Sequence, residues 1–71
     1  MKRFAATWSV GKQGEKGLHV ITGLEFLSAI SEEEATGRMY KAVMKDYPVR
    51  DGYFNHAVLA KEIPEEPDEK E

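Results

Sequence analysis

His19 and His56 are the two side chains of this 71-residue chain with the usual equipment for metal binding or proton transfer. Imidazole nitrogen is a good ligand for zinc and nickel, and Glu25 or Glu62 would add donors if neighbouring strands brought the histidines together. No short-range ligand spacing ties these residues to one another, so they read as ordinary strand histidines and no metal is expected. Asn55-His56 has the composition of a catalytic fragment. Neighbours on a strand point to opposite faces, however, which keeps the two side chains out of one site. Ser9 and Ser28 are the nucleophiles that His56 would serve, and nothing in the sequence holds either within hydrogen-bond reach of it. Gly11, Gly14 and Gly17 follow no P-loop pattern and have no helix directly after them, so they read as loop glycines. A chain this short leaves little room for a pocket of enzyme size. The expectation is a protein with no catalytic activity and no cofactor.

The elements that must position these residues are announced most clearly at Ser31-Glu32-Glu33-Glu34-Ala35. Ser31 can accept from the Glu34 amide while the Glu34 carboxylate reaches back to the Ser31 amide, which is a capping box, and three glutamates suit the positive end of the helix dipole. Pro48 disfavours helical geometry at Tyr47, so the helix should run from Glu32 to about Asp46. Its apolar stripe is Ala35, Met39, Ala42 and Val43, flanked by Tyr40 and Tyr47, while Glu34, Arg38, Lys41 and Lys45 form a solvated face. Gly37 is the odd residue of this helix. An interior helix glycine costs about 1 kcal/mol relative to alanine, and this one lies away from the stripe, where it is either a surface defect or room for a partner backbone.

Before the helix, Phe4, Ala6, Trp8 and Val10 alternate with smaller residues and predict a strand with that set inward. A mobile loop is expected over residues 11–17. The second strand sets Leu18, Val20, Thr22, Leu24 and Phe26 on one face and His19, Ile21, Glu25 and Leu27 on the other, with Gly23 as a possible bulge. After the turn signal Arg50-Asp51-Gly52, residues 53–63 read as a third strand with Tyr53, Asn55, Ala57 and Leu59 on one face and Phe54, His56, Val58 and Ala60 on the other. The order β-β-α-β predicts an α+β domain over residues 1–63: a three-stranded antiparallel sheet, first strand central, with one helix on one face. Ile21, Leu27 and part of residues 53–63 are expected to make the uncovered face partly apolar.

Composition narrows the function classes. A domain of this size buries only about 60% of the surface its unfolded chain exposes, so self-association would help it. There is no cysteine, which excludes disulfides and thiolate metal sites. Residues 1–63 carry nine Lys or Arg against eight Asp or Glu, and residues 64–71 carry one against five. The second stretch therefore reads as a disordered acidic tail. The near-neutral remainder argues against phosphate-backbone binding, although Trp8, Tyr53 and Phe54 have the residue types of a platform for single-stranded nucleic acid. No stretch is apolar for long enough to serve as a signal peptide or membrane span, and a cytoplasmic protein is expected.

Two segments, Ser31-Glu32-Glu33-Glu34-Ala35-Thr36-Gly37 and Gly52-Tyr53-Phe54-Asn55-His56-Ala57-Val58, together with Glu62-Ile63-Pro64, resemble small proteins carried by bacteriophages and prophages. Tyr53, Asn55 and His56 carry most of that specificity. The resemblance implies a cytoplasmic accessory protein of a phage or bacterium, a class that includes inhibitors of host enzymes and defence systems. It carries over no catalytic residue. The functional expectation is thus a protein-binding module acting through the open sheet face or a sheet edge, with a homodimer or a single-stranded nucleic-acid binder as alternatives. The candidate contact residues are Ile21, Leu27, Gly37, Tyr53, Asn55 and His56.

Overall fold

Alternating apolar residues, a capped helix and a closing strand assemble as the order β-β-α-β requires. A computed structural model describes residues 1–64; the acidic tail expected at 64–71 lies, Pro64 apart, outside the described residues. Strand β1 spans Lys2–Gly14, β2 Gly17–Ala29, helix α1 Glu32–Asp46 and β3 Tyr53–Ile63, with a short 3-10 turn at Val49–Asp51 before β3. The sheet is antiparallel in the order β2-β1-β3, so the first strand is central. The fold is α+β in two layers, sheet and helix.

Helix entry follows the capping logic with one shift. Ser31 Oγ accepts from the Glu34 amide at 3.1 Å, but the Glu34 carboxylate takes the amide of Ile30, at 2.8 Å, rather than that of Ser31. Arg38 is not merely solvated: its Nη1 donates to the Ser28 carbonyl at 2.6 Å and ties the helix to β2. At the other end Tyr47 leaves helical geometry before Pro48, as the proline requires, and its amide still reaches the Val43 carbonyl.

The core beneath α1 is built mainly from alanine. Phe4, Ala6, Ala29, Ala35 and Ala60 form one buried cluster, with Leu27 and Met39 packed against it. Val10 and Val43 are also buried, whereas Ala42, expected on the apolar stripe, is exposed. Phe4, Val10 and Val43 are the largest fully buried side chains among the described residues.

Three features of the sheet depart from the sequence-based expectation. Residues 11–17 are not a loop: β1 and β2 continue to the pair Gly14 and Gly17, joined by the two-residue turn Glu15-Lys16, with Gly17 at φ +127°. Glu15 and Lys16 themselves keep negative φ, and the positive φ falls on Gly17 as the chain leaves the turn, where a residue without a Cβ is unstrained. Gly23 marks no bulge, because the β1 and β2 ladder is unbroken from Lys2 and Ala29 to that turn. The irregularity lies in β3 instead, where Ser9 pairs with Ala57 but Gly11 pairs with Phe54, so β3 carries one extra residue.

Asn55 is at the centre of that bulge, with φ +62°. Asparagine tolerates the left-handed region better than most residues, and the bulge reverses which face the preceding residues of the strand occupy. Asn55→Gly should therefore preserve stability, whereas Asn55→Val should lose about 1–2 kcal/mol. Urea unfolding midpoints check this, and equal midpoints for the two variants would contradict the assignment of Asn55 to the bulge.

Candidate functional site

The register decides which side chains share the face that α1 leaves open. Phe4 pairs with Leu27, Trp8 with Gly23 and Val10 with Ile21, and side chains directly opposite in a ladder share a face. Ile21 and Leu27 therefore lie on the helix side, half-buried, and not on the open face where the sequence reading put them. The open face takes the other set of β2: Thr7 lies between Leu24 and Leu59, Ala5 between Phe26 and Lys61, and Gly11 between Val20 and Phe54.

Six large apolar side chains of this face, Leu18, Val20, Leu24, Phe26, Phe54 and Leu59, are between 41% and 66% exposed. The central strand contributes only small residues between them. A Cβ placed on Gly11 would lie 3.2 Å from Leu18 Cδ1 and 3.4 Å from Phe54 Cζ, so these two side chains lean across β1 from opposite sides. Arg3 and Lys61 are the charged residues that the register assigns to this face among the described residues, and both stand toward one end. The surface is an apolar trough with a cationic end.

The other face shows what the remaining candidates do. Tyr53 and His56 are both on the helix side, which the bulge at Asn55 permits despite their spacing. Tyr47 stacks its ring 5.4 Å from that of Trp8 and 5.0 Å, edge to face, from that of Tyr53, and Lys12 Nζ lies 4.8 Å over the Tyr53 ring. His56 Nε2 donates to the Tyr47 carbonyl at 2.6 Å. This hydrogen bond and the ring contacts fasten the C-terminal end of α1 to β1 and β3. They place His56 in a structural role. Gly37 is exposed on the outer side of α1, with open space where a Cβ would stand.

His19 is exposed on β2, opposite Lys12, and among the described residues no group of three or more His, Asp or Glu is arranged to hold a metal ion. No helix among the described residues is long and apolar enough to cross a membrane. No family model, curated protein or solved structure matches the chain.

The open-face residues had a signal in the sequence that the loop assignment concealed. A two-residue turn at Glu15-Lys16 pairs Trp8 with Gly23, and from that register Leu24 and Phe26 must oppose Thr7 and Ala5. The Trp8 and Gly23 pair is also a steric fit. A Cβ on Gly23 would sit 2.2 Å from Trp8 Cζ2 and 2.3 Å from Cε2, so the indole occupies the space that the missing side chain leaves. Gly23→Ala should cost about 1–3 kcal/mol of stability by overpacking and shift tryptophan emission to the red as the ring is displaced. Thermal unfolding and fluorescence spectra check it; an unchanged spectrum and melting temperature would contradict this packing.

Proposed function

We propose that this chain is a small non-enzymatic protein-binding module whose working surface is the open face of its sheet. The observation that carries the reading is the contiguous set Leu18, Val20, Leu24, Phe26, Phe54 and Leu59, all substantially exposed on one face. A folded chain rarely presents so many large apolar side chains together unless another molecule covers them.

The chemistry of the face favours protein over nucleic acid. A surface for single strands combines stacking aromatics with a cationic track along the phosphates. Here the exposed residues are mostly aliphatic, and the two cations stand toward one end instead of following a groove. The resemblance of residues 31–37 and 52–58 to phage and prophage proteins supplies the setting, a cytoplasmic accessory protein that acts by contact with another protein.

Hydroxyl-radical footprinting tests this without knowledge of the partner. Labelling of Leu24, Phe26, Phe54 and Leu59 should fall in bacterial extract or at raised protein concentration, relative to the dilute isolated chain. Tyr40, exposed on α1, should stay labelled. Labelling of the four residues that does not change under any of these conditions would overturn the proposal.

A further inference from the structure

The pattern of large and small residues on the open face reads nearly the same in both directions. On β2 it runs Leu18, Val20, Thr22, Leu24, Phe26, with the small residue in the middle. Thr22 pairs with Ser9, and Ser9 pairs with Ala57, so one row across the sheet is small on all three strands. On β3, Phe54 and Leu59 stand on either side of that row, opposite Gly11 and Thr7 respectively.

We infer that the open face is covered by a second copy of this chain, packed sheet to sheet with its strands antiparallel and the two-fold axis through the row Thr22, Ser9, Ala57. The inference rests on the reading of this face as a protein-binding surface and names its occupant. An interface between identical copies must match itself under the two-fold operation. About the chosen axis Leu24 comes opposite Val20 of the second copy, Phe26 opposite Leu18, and Leu59 opposite Phe54. Sheets stacked face to face lie about 10 Å apart and cross at roughly 30°, and about this axis β2 of one copy lies over β2 of the other and β3 over β3.

Charge selects the antiparallel arrangement. Arg3 and Lys61 stand toward one end of the face, so parallel stacking would bring four cations together. The two-fold instead sets the cations of the two copies at opposite ends of the interface, with the level of Arg3 opposite the turn Glu15-Lys16 of the second copy, whose charges cancel. Area also suits a dimer. A phenylalanine side chain covers about 150–250 Å² and the aliphatic ones somewhat less, so six side chains exposed by 41–66% leave on the order of several hundred Å² of apolar surface per copy. The small residues between them add to this, and a stable interface takes about 800 Å² from each partner.

Light scattering on eluting protein, from micromolar to millimolar concentration, should show the mass rising from 8.0 kDa to twice that value. The double variant Leu24→Lys, Leu59→Lys should keep its circular dichroism and remain monomeric. The chain has no cysteine, so introduced thiols can report the geometry through a short bismaleimide cross-linker. Thr22→Cys should cross-link to itself and Phe26→Cys should not, because the two Phe26 positions would be about 26 Å apart along the strands. Phe26→Cys mixed with Leu18→Cys should cross-link. A monomer at every concentration would overturn the inference and leave the face to a different protein. Self-linking of Phe26→Cys would overturn the antiparallel arrangement. A dimer that survives the double lysine variant would overturn both the inference and the wider reading of the face.

Discussion

The close approach of α1 to the sheet through alanine is the constraint on which the rest of the structure depends. Ala35 on the helix meets a surface that includes Ala6, Ala29 and Ala60, and every one of these is buried. Small contacts bring the two layers together, but each alanine removes little apolar surface from water, and hydrophobic stabilisation scales with that area. Phe4 is the one large side chain in the cluster of buried residues. One helix on one side of a sheet with three long strands thus leaves much of the chain's apolar surface outside the core.

The remaining contacts hold that single layer in register. Ser31, Glu34 and Arg38 fix the start of the helix to the end of β2, and Tyr47, held between Trp8, Tyr53 and His56, fixes its end. Residue types that suggested chemistry in isolation are used up in this framework. His56 and Tyr53 brace the helix terminus, and Asn55 makes the bulge that lets both of them face it. Among the described residues, six of the ten exposed large apolar side chains lie together on the open face.

Helix boundaries were legible because their signals are local: a cap at Ser31 and a proline at position 48 act within a few residues. A central β1 was favoured by its apolar alternation, the set most in need of cover on both edges, but the sequence alone did not decide strand order. Facing was not legible. Which side of β2 meets the helix depends on whether the turn has two residues or seven, and the polar run Lys12-Gln13-Gly14-Glu15-Lys16 contains no alternation to show that the strands continue through it. An error in that turn moved Ile21 and Leu27 to the wrong face. The bulge regroups the two faces read for β3, setting Tyr53 with His56 and Phe54 with Leu59, because a single residue in the left-handed region leaves no periodic trace in the sequence.

A thin core and an apolar outer face are two sides of one arrangement, and on the proposed pairing of two copies the stability missing within one is recovered by contact with the other. Coupled folding and association makes the unfolding temperature depend on protein concentration. The most direct measurement is therefore thermal unfolding followed by circular dichroism over a hundredfold range of concentration. The account predicts a melting temperature that climbs steadily with concentration. One that stays constant across the range would contradict it.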